Sequence, residues 1–464
     1  MAAIGSLLIA SSALGGTRSG LTRLSDGIII DIPAASSDDT RRVRLRVVSD
    51  KIIHVSATPD SLFADLPSLV TVEQKIAPRF NVATTDSSAI VSTSGLKAEV
   101  SLSSGKVKFS DKNGRLLAAE KRRFFRPVSV EGRDGYSVGQ VFESLNDNEG
   151  LYGLGQHQSD EFNYKGRDEE LFQYNTKVSV PFVVSTDGYG ILWDSYSLVR
   201  FGNPAPYSQL GEVFRLFDAD GNEGALTGSY TPAGSDSPTL VERVDSIYFE
   251  HLMREDLTRV VNLPTDFPFK ESHVTYSGYL EAPETAAYKM TLYYSGYVSV
   301  KIDGKEVVPE RWRTSWNPNA YKFTVSLQAG KRTPLSIDWR PDGDVAYLGL
   351  RAYSPRSHEE EMDMEWWSEM QPQEDYYFIA GDDMADVIRG YRTLTGQAPI
   401  MPRWAMGYWQ SREKYNTSEQ VLGTLAEFRR RRIPIDNIVI DWLHWKQDQW
   451  GSHEFDRDRF PDPK

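Results

Sequence analysis

Polar and apolar side chains alternate through much of the first half of the chain. The alternation is that of strands that bury one face, and it recurs in residues 43–48, 51–55, 97–102 and 106–109. Asp111-Lys-Asn-Gly114 follows the last of these runs as a turn signal. No helical period of useful length occurs between residues 27 and 233. Many short strands at regular spacing predict a large antiparallel β-sandwich, which we place at residues 23–240.

The character of the sequence changes after residue 240. Aromatic and β-branched runs with turn signals between them predict a second β module, in residues 276–283, 288–294, 297–302 and 334–339. An acidic run at 359–367 is expected to form a solvated exit from it. We therefore predict an inserted β module at residues 241–368.

Helical spacing appears after this module. A predicted strand at residues 375–381 precedes an apolar stripe at helical spacing, and the stripe ends at Gly396, a residue suited to cap a helix. The stripe consists of Met384, Val387, Ile388, Tyr391 and Leu394. Pro399 and Pro402 indicate a linker. Residues 369–398 are thus interpreted as a return to the sandwich followed by a linker.

The last part of the chain, residues 399–464, follows the order strand, helix, strand. Residues 404–409 predict a strand, and Thr417 or Ser418 can cap a helix over residues 419–432. The β-branched run 438–440 predicts a strand buried on both faces, as in a parallel sheet or barrel. This order is typical of the opening of a βαβ fold.

Candidate chemistry lies directly after the second of these strands. Asp441 stands at the carboxyl end of the strand, where parallel α/β barrels place their catalytic groups, and Trp442 and Trp445 follow it. Carboxylate oxygens accept hydrogen bonds from sugar hydroxyls, while flat rings cover the apolar faces of a sugar. The same spacing is equally consistent with a helix cap at Asp441 and tryptophans that only pack.

Composition narrows the classes of partner. The 464 residues predict about three domains, and a net charge of −13 from scattered acidic residues argues against nucleic acid. The chain has no cysteine, which excludes disulfides, thiolate metal sites and cysteine nucleophiles. The glycines of residues 151–157 are not followed by the Gly-Lys-Ser/Thr of a phosphate loop, so no nucleotide cofactor is expected.

The N-terminus carries a targeting signal or a plain tail. Residues 1–22 contain an apolar run that ends in small residues, like an export signal without its basic start, although a disordered tail is the alternative. An export signal implies a periplasmic or extracellular location, with the cytoplasm as the alternative. No other stretch approaches the ~20 apolar residues that a membrane span requires.

Five blocks of sequence, in order along the chain, together resemble one known family. They are Tyr152-Gly-Leu-Gly155, Asp375-Tyr-Tyr-Phe378, Gly390-Tyr-Arg-Thr-Leu-Thr-Gly396, Trp404-Ala-Met-Gly-Tyr-Trp-Gln-Ser-Arg412 and Ile435-Asp-Asn-Ile-Val-Ile-Asp-Trp442. The combination resembles glycoside hydrolase family 31, and within it the α-xylosidase branch that carries a protective-antigen-like insert. That resemblance implies a retaining α-glycosidase with an N-terminal β-sandwich and a (β/α)8 barrel.

The resemblance also assigns candidate substrate-binding residues and no metal or cofactor. Asp441 would bind hydroxyls of the sugar in the −1 subsite, and Trp442 would shape the pocket. The first barrel strand and the loop after it would line that pocket through Trp409, Arg412 and Glu413. Asp168, in a polar loop of the sandwich, would approach from the opposite side.

The catalytic pair is not expected among these residues. A (β/α)8 barrel takes about 250 residues, or ~30 per unit, so residues 402–464 suffice for two units. The retaining mechanism needs two carboxylates about 5–5.5 Å apart, and the resemblance places both on later strands, beyond Lys464. Four aspartates near the end are expected to belong to a connection, namely Asp448, Asp456, Asp458 and Asp462.

The predicted fold is multidomain. An N-terminal antiparallel β-sandwich carries an inserted second β-sandwich module and leads into the first two units of a (β/α)8 barrel. Three functions are consistent with this fold. The first is the N-terminal part of an α-xylosidase that acts on xyloglucan-type oligosaccharides, or of an α-glucosidase, and in either case this chain alone is expected to be inactive. The second is a non-catalytic carbohydrate-binding protein, and the third is a non-functional product of a truncated gene. An oligosaccharide is the expected ligand, and the oligomeric state is not predicted.

Overall fold

The structure is a computed structural model that describes residues 20–36, 39–64, 66–74, 79–159, 161–173 and 176–463. The predicted leader at 1–22 lies outside these residues up to position 19, and Leu21 and Thr22 already belong to the first strand. The chain divides into two compact units, Met1–Thr395 and Gly396–Lys464. In the described residues no helix is both long and apolar enough to cross a membrane.

In the described residues fifteen strands precede the insert. They are β1 (Leu21–Arg23), β2 (Gly27–Asp31), β3 (Arg42–Ser49), β4 (Ile52–Thr58), β5 (Asn81–Thr84), β6 (Ser88–Ser92), β7 (Leu96–Ser101), β8 (Val107–Asp111), β9 (Leu116–Val130), β10 (Arg133–Phe142), β11 (Leu151–Gln156), β12 (Glu169–Leu171), β13 (Val178–Ser185), β14 (Tyr189–Trp193) and β15 (Val199–Phe201). Burial alternates along residues 42–48, 96–101 and 107–109 as predicted, whereas six of the seven residues 52–58 are buried.

The insert forms two further sheets of its own. Its elements are β16 (Ser208–Gln209), α1 (Leu210–Val213), β17 (Arg215–Phe217), β18 (Leu226–Thr231), β19 (Leu240–Val244), β20 (Tyr248–Met253), a 3-10 turn (Arg254–Asp256), α2 (Leu257–Val260), β21 (His273–Glu281), β22 (Ala286–Tyr294), β23 (Gly296–Ile302), β24 (Lys305–Arg313), β25 (Asn319–Leu327), β26 (Arg332–Arg340) and β27 (Val345–Ala352). The five-stranded sheet has the order β16-β27-β22-β25 with β20 also on β27, and the seven-stranded sheet has the order β19-β18-β21-β26-β23-β24 with β17 also on β21.

Strand pairing places the limits of the insert elsewhere than the predicted residues 241 and 368. The strands β16 to β19, which begin at Ser208, pair within the insert. After α3 (His358–Met362), the strands β28 (Met364–Gln371) and β29 (Glu374–Ala380) pair with the first sandwich. Alternation alone does not say which sheet a strand joins, so the predicted limits miss both transitions.

The returning strands occupy the middle of the first sandwich. Its eight-stranded sheet has the order β1-β2-β3-β4-β29-β14-β13-β11, and its nine-stranded sheet has the order β12-β15-β28-β10-β9-β8-β7-β6-β5. The entry to the insert lies beside its exit, because the Gly202 amide donates to the Glu365 carbonyl at 2.8 Å. Helix α4 (Met384–Thr395) then buries Val387 and Leu394, and Gly396 has the positive φ of 88° expected of a C-cap.

One core lies between the two sheets of this sandwich, and it contains an ionic cluster. Apolar side chains fill most of it; Phe109 and Phe378 stack with centroids 3.9 Å apart. The side chains of Glu120, Arg123 and Glu374, which we call the buried ionic cluster, are all at most 3% exposed. Arg123 Nη2 donates to both oxygens of Glu120, at 2.6 and 2.7 Å, and Nε contacts the Glu374 carboxylate.

The second unit contains strand, helix and strand in the predicted order. After a 3-10 turn (Arg403–Met406) come β30 (Trp409–Gln410), α5 (Ser418–Arg430) and β31 (Asn437–Ile438), and the two strands are parallel. Thr417 caps α5 as predicted, because its Oγ1 accepts from the Gln420 amide at 3.3 Å. The predicted strand over 404–409 is wrong for residues 404–408, since Pro402 leads into the 3-10 turn and the strand begins only at Trp409. That these elements are the first two units of a (β/α)8 barrel stays a prediction.

Candidate substrate-binding site

The parallel strands of the second unit bring two predicted segments together. The Val439 amide donates to the Gln410 carbonyl at 2.9 Å, which continues the pairing of β30 with β31. Beyond the strands, the Trp442 amide donates to the Glu413 carbonyl at 3.1 Å. The loop that carries Arg412 and Glu413 therefore lies beside Asp441 and Trp442, as the sequence predicts.

Asp441 is exposed at this edge. Its carboxylate has no hydrogen-bond or salt-bridge partner in the described part of the chain. A carboxylate that capped a helix would accept a backbone N–H, and the residues after Asp441 form turns rather than a helix. The geometry therefore favours an acceptor that is open to a ligand over the alternative of a helix cap.

The Trp442 ring contacts a lysine side chain and lies near a second tryptophan ring. Lys414 Nζ lies 4.5 Å from the Trp442 ring centroid, a cation–π contact. The ring of Trp450 lies 6.1 Å away at 53°, and Trp450 is 74% exposed. The Trp442 Nε1 donor is buried and has no acceptor among the described residues. The ring thus presents a hydrogen-bond donor that protein groups leave unsatisfied.

Sequence reasoning did not single out Lys414 or Trp450. Lys414 directly follows Glu413 in the loop predicted to line the pocket, and Trp450 stands eight residues after Trp442 in a segment interpreted as a connection. The signal was a third tryptophan within nine residues, beside a glycine that permits the chain to turn back. The rings of Trp445 and Trp450 lie 5.4 Å apart, so the three tryptophans form one aromatic cluster, which begins directly after Asp441 in the chain.

Two other predicted residues have local partners. Arg412 lies with Cζ 5.1 Å from the ring of Tyr415, which is fully buried. Trp409 packs on Trp404 with centroids 5.8 Å apart, and its Nε1 donates to the Ala405 carbonyl at 3.1 Å. The first contact holds the Arg412 side chain against Tyr415 of the same loop. The second directs the Trp409 side chain toward the 3-10 turn, so the role of Trp409 in binding stays a prediction.

Among the later aspartates, Asp456 has a structural role. It forms a salt bridge with Arg459 at 2.8 Å, and the hydrogen bond from Arg459 lowers the pKa of Asp456. Arg459 in turn donates to the Trp445 carbonyl, which ties this segment to the tryptophan cluster. Such a carboxylate holds a connection in place, as the sequence predicts.

Asp168 belongs to the first unit, where a lysine of the insert holds it. Lys322 Nζ lies 3.1 Å from Asp168 Oδ2, and the Tyr207 hydroxyl donates to Oδ1 at 3.1 Å. Burial lowers the pKa of Lys322, but the carboxylates of Asp168 and Glu169 raise it by more, so the ammonium stays charged. Lys322 lies 154 residues from Asp168 in the sequence, and no local sequence pattern predicts their contact.

A cleft of about 560 Å³ opens beside Asp168, between the sandwich and the outer face of the five-stranded sheet of the insert. Four tyrosines line it, namely Tyr207, Tyr248, Tyr293 and Tyr353. Arg351 also lines it, with Cζ 3.6 Å from the ring of Tyr248. Asp168 therefore faces a second surface of rings and charges, within the first unit.

Comparison with known proteins assigns both units. The model of the glycosyl hydrolase 31 N-terminal galactose mutarotase-like domain matches residues 42–201, and that of the glycosyl hydrolases family 31 TIM-barrel domain matches residues 398–464. The two matches lie in the first sandwich and in the second unit, in the order that the five sequence blocks predict. Neither match extends into the insert.

Individual relatives agree with this assignment. The crystal structure of a GH31 α-xylosidase from Xanthomonas citri is similar with a TM-score of 0.85 and 37% identity, over 95% of this chain and 47% of that one. An α-xylosidase of Saccharolobus solfataricus is 25% identical over 91% of this chain and 37% of its own length. Alpha-glucosidase 2 of Bacillus thermoamyloliquefaciens is 41% identical over 19% of this chain and 11% of its own length.

The chain thus spans about half the length, or less, of the relatives it matches. Domains of one family occur at both ends of it, and the similarity to the Xanthomonas citri structure runs through the insert as well. The chain therefore contains two domains of glycoside hydrolase family 31, at residues 42–201 and 398–464.

Proposed function

We propose that the polypeptide to which this chain belongs is a retaining α-glycosidase that removes terminal α-xylosyl residues from xyloglucan-type oligosaccharides. The observation that carries the proposal is the open carboxylate of Asp441 beside an aromatic surface, in a segment that matches the family's barrel domain. Two relatives that align with nearly the whole chain are named α-xylosidases, which supports xylose as the sugar.

In this proposal the chain binds and orients the sugar. Asp441 accepts hydrogen bonds from hydroxyls of the −1 sugar, and these charge-assisted contacts strengthen as the ring distorts toward the transition state. Trp442 and Trp450 cover an apolar face of the sugar and exclude water from it. The nucleophile and the general acid/base, two carboxylates about 5–5.5 Å apart, come from barrel strands outside residues 1–464.

α-Glucoside hydrolysis is the second candidate. The short but strong match to an α-glucosidase favours it. Xylose and glucose differ by the group on C5, and a missing or added group in a pocket is worth about 1–3 kcal/mol. Trp442 stands next to Asp441, so we expect its replacement to change the preference between the two sugars.

The test is kinetic, on the polypeptide that carries these residues together with a complete barrel. Asp441→Ala should reduce kcat/KM for an aryl α-xyloside on the order of 10²-fold or more, and Asp441→Asn should fall between this variant and the wild type. Asp462→Ala, an exposed aspartate elsewhere in the same unit, is the matched control. Wild-type kinetics in Asp441→Ala would refute the assignment, and faster turnover of the α-glucoside would favour the second candidate.

The 464-residue chain by itself is expected to show no turnover of either substrate. Positioning groups without a nucleophile and an acid leave only a small residual rate. Turnover near ordinary glycosidase rates by the purified chain would show that the catalytic pair lies within it.

A further inference from the structure

The first unit has a second cleft, which shares no lining residue with the cleft beside Asp168. It has a volume of about 780 Å³ and opens on the eight-stranded sheet of the sandwich. Its walls are the loop 66–71, the hairpin between β9 and β10, and the ends of β28 and β29. Pockets for small ligands typically measure about 300–1,000 Å³, so the cleft has room for a mono- or disaccharide.

Side-chain hydrogen bonds fix the loop that forms one wall. The Leu69 amide donates to the Tyr196 hydroxyl at 2.6 Å, and this hydroxyl donates to Asp194 Oδ1 at 2.8 Å. On the opposite side the Ala64 amide donates to Gln373 Oε1 at 2.8 Å. The wall is therefore held in place before any ligand arrives, which lowers the entropic cost of binding.

The floor of the cleft is a fixed group of polar side chains. Asp375 accepts hydrogen bonds from Ser56 Oγ at 2.7 Å and from Gln373 Nε2 at 2.7 Å, and it also bonds His54 Nε2 at 2.9 Å. The His54 ring stacks on Tyr377 at 4.3 Å. These contacts orient an imidazole and a phenol at the base of the cleft.

One lining side chain is buried without a partner. Gln371 is 6% exposed, and neither its amide nitrogen nor its amide oxygen has a hydrogen-bond partner among the described residues. Buried polar groups are normally hydrogen-bonded, and leaving one unpaired is unfavourable. An amide that offers both a donor and an acceptor would be satisfied by a ligand hydroxyl, which is itself both.

The charges of the cleft balance. Three arginines and three aspartates line it, namely Arg44, Arg46, Arg133, Asp134, Asp194 and Asp375. A phosphate would meet the aspartates and a metal cation would meet the arginines, so neither fits the set. A neutral polyhydroxyl compound fits it, because each hydroxyl can accept from an arginine and donate to a carboxylate.

We propose that this cleft is a saccharide-binding site of the N-terminal sandwich, separate from the site at Asp441. Gln371 pairs with a sugar hydroxyl at its inner end, and Arg133 and Asp134 bind hydroxyls at its mouth. The side chains of Arg133 and Asp134 are exposed and have no partners in the described part of the chain, so both are available to a ligand. The site does not depend on the proposed hydrolysis.

The test is a binding titration on the 464-residue chain in an Asp441→Ala background, which silences the predicted −1 pocket. D-xylose, D-glucose and cellobiose are the probes, and saturation-transfer NMR follows their binding as the sugar concentration is raised. We expect saturable binding of at least one probe, and a loss of affinity of about fivefold or more in both Asp134→Ala and Gln371→Leu. Asp236→Ala, an exposed aspartate of the insert, is the matched control and should leave the affinity unchanged.

Two outcomes overturn the proposal. One is the absence of saturable binding of all three probes, in which case Gln371 is satisfied by water. The other is binding that Asp134→Ala and Gln371→Leu both retain, which would place the sugar elsewhere. Gln371→Leu removes an unpaired buried amide, so its thermal unfolding without sugar should be unchanged or higher. If this variant fails to fold, the exposed Asp134→Ala still decides the outcome.

Discussion

Replacing Glu374 by glutamine should flatten the pH dependence of the protein's stability. In the buried ionic cluster, one guanidinium lies between two carboxylates that solvent does not reach. Glu120 accepts from Arg123, from the Val107 amide at 2.8 Å and from the Tyr376 hydroxyl at 2.6 Å. Glu374 contacts Arg123 Nε, but neither of its oxygens has an aligned hydrogen-bond donor.

Burial is therefore the main cause that raises the pKa of Glu374 from 4.5 to about 8. The folded protein keeps this proton between about pH 4.5 and 8, whereas the unfolded chain releases it. The stability contributed by the protonated group is complete below the unfolded pKa and is lost as the pH rises through the folded one. One proton gives a slope of about 1.4 kcal/mol per pH unit, and the whole window corresponds to roughly 4–5 kcal/mol.

The assay is denaturant unfolding of the wild type and of Glu374→Gln from about pH 5 to 9. The wild type should lose stability with rising pH relative to the variant, because glutamine keeps the neutral shape and cannot ionise. Glu369→Gln, on an exposed position of β28, is the control and should follow the wild type. Parallel pH profiles of wild type and Glu374→Gln would refute the reasoning. Arg123→Met should in addition cost about 3–5 kcal/mol, because it leaves the buried carboxylate of Glu120 without its cation.

Three further changes test the architecture. Deleting residues 399–464 should leave the sandwich and the insert folded. It should also raise solubility, since it removes exposed apolar groups such as Ile400, which is 97% exposed. Loss of the cooperative unfolding transition in this variant would contradict the boundary at Gly396. Replacing residues 204–362 by a short Gly/Ser linker should preserve the sandwich, because its ends meet at Gly202 and Glu365; an unfolded product by circular dichroism would show that the insert is required. Thr417→Ala should destabilise α5 by about 1 kcal/mol, which is measured as faster hydrogen exchange of residues 418–430. Unchanged exchange would show that the Thr417 cap does not stabilise the helix.

Local patterns predicted local structure well in this chain. The stripe from Met384 to Leu394 and its glycine stop gave helix α4, and Thr417 gave the start of α5, because each signal and its structural effect lie within one helical turn. The sheet that a strand joins depends on distant partners instead. Residues 226–231 alternate like any strand of the first sandwich, yet they pair with β21 of the insert.

The contacts at the candidate sites show the same difference between local and long-range structure. The adjacency of Glu413 and Trp442 followed from parallel strands, whose carboxyl ends meet at one edge. The salt bridge of Asp168 with Lys322 and the unpaired amide of Gln371 arise only when separate modules pack. Sequence spacing holds no information on such contacts, so the second cleft could not be predicted.

The central position of β28 and β29 sets an order of events during synthesis. The strands β4, β10, β14 and β15 are made before the insert, but the partners between them emerge only after residue 363. At 5–20 residues per second, the ribosome needs about 10–30 s to make the intervening insert. The described strands of the insert pair with one another, so the insert can fold in that interval. During the same time the early strands keep unpaired edges, which can pair with other chains. Nascent chains of this protein are therefore expected to need a chaperone until residue 380 has emerged, and slow codons within the insert should increase misfolding of the sandwich.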